Sequence, residues 1–174
     1  MQLTGKQIVE NGIITNVCSE GIQQQGVDVR IKKVSVVGKN HHDASYGYIP
    51  KRGKTIIPKT TEIPAICLDG GKEYWDLPEG YYEIEFEEGC DIPNYIAMYL
   101  KTRSSLVRCG AEILSGQFDA GFKTDNMGAF LKVNIPITIE KGARVAQAIL
   151  TETYEVGVEH MYNGQWQGDK QRQV

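Results

Sequence analysis

Residues 101–122 read KTRSSLVRCGAEILSGQFDAGF, which places Arg103, Ser104, Ser105 and Arg108 just ahead of a glycine-punctuated segment ending on one acid, Asp119. Arginine presents forked donors to phosphate oxygens, and serine adds small donors that let backbone N–H groups approach, so the first half is an anion-holding set. Asp119 does not belong to that set. A carboxylate beside a bound phosphate is repelled unless a metal or a water lies between them, which points to chemistry rather than retention. A polar turn between two strands with incidental charges would carry the same letters, so this stretch alone leaves both readings open.

The remaining candidates are scattered. Asp28 lies in IQQQGVDVRI, a short strand-like run, and KGARVAQAIL at 141–150 carries Arg144 and Gln147. Gln147 alternates with Val145 and Ile149 and is therefore expected to point inward, where an amide needs partners, favouring a ligand or interface role. Two roles stand open for Arg108 and Arg144, phosphate ligand or salt-bridge partner at a subunit interface. Taken by itself, Asp28 reads as a turn cap.

The elements that must position these groups are strands. In YYEIEFEEG, Tyr82, Ile84 and Phe86 share one face and Glu83, Glu85 and Glu87 the other, the pattern of a half-buried strand. The same alternation runs through IAMYLKT (Ile96, Met98, Leu100), AFLKVNI (Ala129, Leu131, Val133, Ile135) and RVAQAIL. One short helix is expected at the start, with Thr4 as N-cap, Gln7 as its capping-box partner and Asn11-Gly12 as the stop. Short strands separated by turn residues predict an all-β sandwich or barrel. Residues 38–59 read as a long loop or extended hairpin, with Lys51, Arg52 and Lys54 at a solvated tip, and the 170–174 end reads as a polar tail.

The 174 residues, 41% hydrophobic and 24% charged, fit one domain spanning 1–174. A net charge of −3 argues against a nucleic-acid surface, so any phosphate ligand should be small. Met1 to Val9 is polar and no apolar run approaches the ~20 residues that span a bilayer, which predicts an intracellular, cytoplasmic protein with no membrane partner. The four cysteines, Cys18, Cys67, Cys90 and Cys109, form no Cys-x-x-Cys pair, and His41, His42 and His160 show no metal-ligand spacing. The His-x-Glu and Pro-Cys-x-x-Cys elements of zinc-dependent nucleobase deaminases do not occur.

Asp28 in its strand, RSSLVRCG, AEILSGQFDAGF and KGARVAQAIL, in that order, resemble the deoxyuridine triphosphatase and dCTP deaminase superfamily, from Leu3 to about Lys170. The resemblance implies a distorted jelly-roll β-sandwich with a short N-terminal helix, assembled as a homotrimer with sites at subunit interfaces. It implies that Arg103, Ser104, Ser105, Arg108, Gly116 and Gln147 hold the substrate and its phosphates. Phe122 would pack on the deoxyribose beside a main chain that reads the pyrimidine edge, Asp119 would be catalytic, and Asp28 would contact a metal indirectly through water. Tyr162, Gln167 and Lys170 would act as a lid within a 160–174 tail. The activity implied is Mg²⁺-dependent hydrolysis of dUTP to dUMP and pyrophosphate.

Two other outcomes stay open: a dCTP deaminase, possibly bifunctional, and a non-catalytic nucleotide-binding or regulatory protein. The N-terminal helix, the second serine of RSS and the YNGQWQGDKQ tail are closer to the deaminase branch, and the Gly-rich fifth motif of ordinary triphosphatases is missing. Deamination needs a glutamate on the strand after the third motif, and no acid stands between Asp125 and Glu140. KTDNM at 123–127 reads as a small insertion that blurs the alignment of that strand, and Asp125 is the one acid near enough to substitute.

Overall fold

The computed structural model describes residues 1–38, 47–68 and 70–168; His41, His42 and Lys170 lie outside the described residues. The chain opens with helix α1 (Gly5–Glu10), strand β1 (Ile14–Thr15), a 3₁₀ turn at Ser19–Gly21, then β2 (Ile22–Gln23) and β3 (Gly26–Val37). Strands β4 (Thr60–Glu62), β5 (Ile66–Leu68), β6 (Lys72–Leu77), β7 (Gly80–Phe86), β8 (Gly89–Asp91) and β9 (Ile96–Thr102) follow. Helix α2 (Ser104–Arg108) then leads into β10 (Ala111–Leu114), β11 (Lys123–Thr124), β12 (Gly128–Val133), β13 (Ile137–Glu140) and β14 (Arg144–Glu152), with a last 3₁₀ turn at Val158–His160. This is the all-β sandwich expected from the sequence, of distorted jelly-roll type.

Helix α1 begins as predicted. The Thr4 hydroxyl accepts from the Gln7 N–H, and the Gln7 side chain accepts from the Thr4 N–H, a complete capping box. Its buried Ile8 fastens the N-terminus to the core.

The main sheet runs β10-β12-β7-β3-β14-β9. Strand β3 is its hinge: residues 27–30 pair antiparallel with β14, while residues 31–36 pair with β7 across an irregularity between Ile31 and Lys33. One twelve-residue strand thereby serves both halves of the sandwich. The path closes at its ends, where the Thr102 hydroxyl of β9 accepts a 2.9 Å hydrogen bond from the Ile113 N–H of β10. Val27, Val29, Ile31, Phe86, Met98 and Leu131 meet inside.

The alternation held where one face meets the core: Tyr82, Ile84 and Phe86, then Ile96, Met98 and Leu100, are buried as expected. It failed in three places. Glu85 is 7% exposed, not on a solvent face, and lies 3.5 Å from Lys32. Ile135 is 60% exposed because β12 ends at Val133. In β14, which runs inside the sheet between β3 and β9, Ala146, Ala148 and Leu150 are buried as fully as Val145 and Ile149, so side chains on both faces of the strand are covered. The suspected insertion at 123–127 contains β11, which pairs with β8, so β12 is fixed at 128–133.

Candidate functional site

The named residues fall into two groups at opposite ends of β9. The first surrounds the end of β9 and the start of α2. Asp28 on β3 lies directly opposite Gln147 on β14, and Gln147 is opposite Lys101 on β9. Residues opposite each other in an antiparallel pair share a face, so these side chains line one strip. Arg103 follows β9, and its Nε lies 3.2 Å from Asp28 Oδ2; Arg144 Nη1 lies 3.5 Å from the same oxygen. Arg103 also donates to the Arg144 carbonyl at 3.1 Å, and Arg144 donates to the Glu20 carbonyl. Ser104, Ser105 and Arg108 are exposed on α2, a helix too short to announce itself in the sequence by periodicity.

Gln147 is half-buried, and its carboxamide makes no hydrogen bond among the described residues. An amide in that position is available to a ligand. The Asp28 side chain is 3% exposed, and both guanidiniums meet it at the one oxygen, Oδ2. Burial pushes its pKa above the ordinary carboxylate value, and Arg103 and Arg144 oppose that shift without overcoming it.

The second group is the hairpin at 115–123. Phe118 bridges to Met98 near the far end of β9, about 16 Å from Arg103 at ~3.3 Å per residue. Asp119 is exposed at the mouth of a cleft of about 510 Å³ that is also lined by Ile96, Gln117, His160 and Tyr162. Its only hydrogen-bonded side-chain neighbour among the described residues is Gln117, at 3.4 Å. Gly116 is exposed with open space around its Cα. Phe122 is half-buried and packs edge-on against both Phe118 and Tyr162, with ring centroids 5.5 and 5.4 Å away.

The tail lies along this hairpin. Tyr162 N–H donates to the Ala120 carbonyl at 2.7 Å, Gln167 Nε2 donates to the Gly121 carbonyl at 2.8 Å, and the Lys123 N–H donates to Gln167 Oε1 at 3.1 Å. Gly121 has φ +85°, and a Cβ there would meet Met161 at 3.0 Å, so both the backbone and the tail require glycine. Gln165 makes a second reciprocal pair, with the N–H and carbonyl of Thr55, each at 2.9 Å. The sequence did not reveal this contact: it ties the tail to the 47–58 segment, whose Lys51, Arg52 and Lys54 are exposed as expected.

Elsewhere Glu88, fully buried, accepts from the Arg30 N–H and from Arg30 Nε, both at 2.7 Å. Among the described residues no group of three or more His, Cys, Asp or Glu side chains could hold a metal ion, and no helix is long and apolar enough to cross a membrane. Among the described residues no disulfide joins any of the four cysteines.

The all-β jelly-roll thus gathers arginines, hydroxyls and an unbonded carboxamide at one end of a strand, and a solvent-facing acid with an aromatic hairpin at the other. Residues 2–153 match the family model described as dCTP deaminase-like, and the chain belongs to that family. A probable deoxyuridine 5'-triphosphate nucleotidohydrolase of Methanosarcina mazei is 30% identical over 93% of this chain and 88% of its own length. The deoxyuridine 5'-triphosphate nucleotidohydrolase of Methanocaldococcus jannaschii is 32% identical over 88% of this chain and 91% of its own. A dCTP deaminase of Sulfurisphaera tokodaii is 25% identical over 86% and 75%. The crystal structure of a 2'-deoxycytidine 5'-triphosphate deaminase from Agrobacterium tumefaciens shares the fold at TM-score 0.58 and 13% identity, over 86% of this chain. The present chain spans about half of that one, 47%.

Proposed function

We propose that this chain is a hydrolase, a dUTP diphosphatase that converts dUTP and water to dUMP and pyrophosphate in intracellular deoxynucleotide metabolism. The observation that carries the reading is the separation of a phosphate-holding group from a solvent-facing acid, on a chain with relatives named for that hydrolysis. Arg103, Ser104, Ser105, Arg108 and Gln147 would hold the phosphates. Asp119 would orient a water for in-line attack on the α-phosphorus and take its proton as the bond to pyrophosphate breaks. Phe122 would face the deoxyribose, where an apolar ring disfavours a 2′-hydroxyl. Gly116 keeps that loop free of side-chain bulk, and Tyr162, Gln167 and Lys170 belong to the closing tail.

The two groups lie about 16 Å apart along one chain. That separation favours a site in which Asp119 and the phosphate-holding set come from neighbouring copies. Completion by a neighbouring copy supports a homotrimer with sites at subunit interfaces. The donor set fits a Mg²⁺ held mainly by phosphate oxygens and water, to which the protein adds at most the exposed carboxylate of Asp119. When bound, that ion would neutralise charge on the phosphates.

The strand after the hairpin weighs against deamination. On β12, Leu131 and Val133 are buried apolar residues, and Lys132 pairs with Glu112 at 3.3 Å. The alternative of a dCTP deaminase rests on the family model and on the relative of that name; the other alternative is a nucleotide-binding protein without turnover. Pyrophosphate and ammonia release from dUTP, dCTP and dTTP, with and without Mg²⁺, separates the three. Pyrophosphate from dUTP alone is expected. Ammonia from dCTP, lost in Asp125→Ala, would overturn the assignment.

A further inference from the structure

Asp28 poses a problem for a phosphate site. It places a negative charge, 2% exposed, at the centre of the group that should attract an anion. Its partners explain its position. Arg103 and Arg144 stand 41 residues apart in the chain, and each leans one edge of its guanidinium on Asp28 Oδ2, at 3.2 and 3.5 Å. Both are fastened again, Arg103 through its Nη1 to the Arg144 carbonyl, and Arg144 through the same Nη1 that meets Asp28 to the Glu20 carbonyl. The side chains nevertheless remain 31% and 32% exposed. Among the described residues, neither Nη2 group makes a hydrogen bond, while a guanidinium carries five N–H donors in a fixed fork.

We propose that Asp28 is a positioning residue: a buried carboxylate that clamps Arg103 and Arg144 side by side, so that their unbonded Nη2 groups form a preformed receptor for a polyphosphate chain. This adds Arg144 to the phosphate-holding set and gives Asp28 a role in holding the arginines. Without the clamp, the two cations repel each other and regain the rotamer freedom of long side chains, and a ligand must then order both. The inference rests on the reading of this end of β9 as the phosphate site.

Two physical effects of neutralising Asp28 have opposite signs, which makes the test sharp. If the carboxylate were only a nearby negative charge, Asp28→Asn would tighten anion binding by relieving repulsion. If it is a clamp, the same change loosens binding. Calorimetric titration of the full chain with inorganic tripolyphosphate should show affinity about tenfold or more weaker in Asp28→Asn, the scale of freeing one or two arginine side chains. A non-hydrolysable dUTP analogue should weaken by the same factor, and deoxyuridine, which lacks phosphate, should be unaffected. In an Arg103→Gln/Arg144→Gln background, the Asp28→Asn effect should shrink below about twofold, because the residue acts through those arginines.

Unchanged or tighter tripolyphosphate binding in Asp28→Asn overturns the proposal, as does a full effect in the double-glutamine background or no binding to the unsubstituted chain. A Asp28→Asn protein that does not fold moves the test to Arg144→Lys, whose single ammonium cannot serve Asp28, Glu20 and a ligand together. That variant should lose about tenfold in tripolyphosphate affinity, and equal affinity refutes the clamp. A clamp seen with tripolyphosphate but no preference for the dUTP analogue over dCTP would leave this inference standing and sink the assignment of dUTP.

Discussion

Replacing Gln167 with leucine should open the tail without touching the core. The carboxamide makes two hydrogen bonds to the hairpin main chain, 2.8 Å to the Gly121 carbonyl and 3.1 Å from the Lys123 N–H. Each contributes about 1 kcal/mol net, because water replaces it when the tail lifts. Leucine keeps the volume and loses both, so the docked state should lose about 2 kcal/mol, or roughly 30-fold in its closing equilibrium. The Phe122–Tyr162 edge contact remains and holds part of the docking. Hydrogen exchange should report this as roughly 30-fold faster exchange at Tyr162, whose N–H is held by the Ala120 carbonyl, while β9 and β14 keep their protection. If the tail closes over the nucleotide, kcat/KM for dUTP should fall by a similar order. Unchanged exchange at Tyr162 would mean that the Gln167 contacts do not hold the tail, and the lid reading would lose its physical basis.

Glu88→Ala should cost about 3 kcal/mol, the lower end for breaking a buried pair, because Arg30 keeps 24% of its side chain exposed and can recruit water. Thermal melting should register this as a loss of roughly 8 °C, and a drop under about 2 °C would show that Arg30 was never dependent on Glu88. Asp28 gives a pH signature. Its native pKa is raised from 3.8, above all by burial. Between the ordinary and the raised value, the native state holds a proton that the unfolded state has released. Stability therefore falls as pH rises through that window, and the penalty persists above it. Melts of Asp28→Asn should lack this component, so their Tm relative to the unsubstituted chain should climb as pH rises from about 4; parallel curves would contradict the shift.

What could be read in advance follows from how each contact is encoded. The capping box of α1 is local, three residues apart, and the letters Thr4 and Gln7 suffice. Strands with one face on the core show it by alternation, as in β7 and β9. Strand β14 does not, because it is covered on both faces and its alanines are as buried as its valine. The five-residue α2 spans less than two turns and has no repeat to detect. The acids Glu85 and Glu88 sit in a run of glutamates that looks solvent-facing, and only the fold supplies Lys32 and Arg30. At the site, the residue types were legible and their roles less so. Asp28 meets Arg144 across 116 positions of sequence, and Gln165 meets Thr55 across 110, through side-chain contacts that leave no periodic trace. The two-ended arrangement along β9 appears only when the Met98–Phe118 bridge is seen.

The central claim is that Asp119 performs chemistry on a nucleotide whose phosphates are held elsewhere. It is tested most directly by Asp119→Asn, with dUTP-analogue affinity and single-turnover dUTP hydrolysis measured on the same protein. Asparagine keeps the shape and the contact to Gln117 but cannot take a proton from water. The analogue should bind within about tenfold of the unsubstituted chain, while the hydrolytic rate falls at least about a hundredfold, because the acid acts in the transition state more than in the ground state. Parallel losses in affinity and rate would make Asp119 an anchor, and near-normal turnover would contradict the mechanism outright.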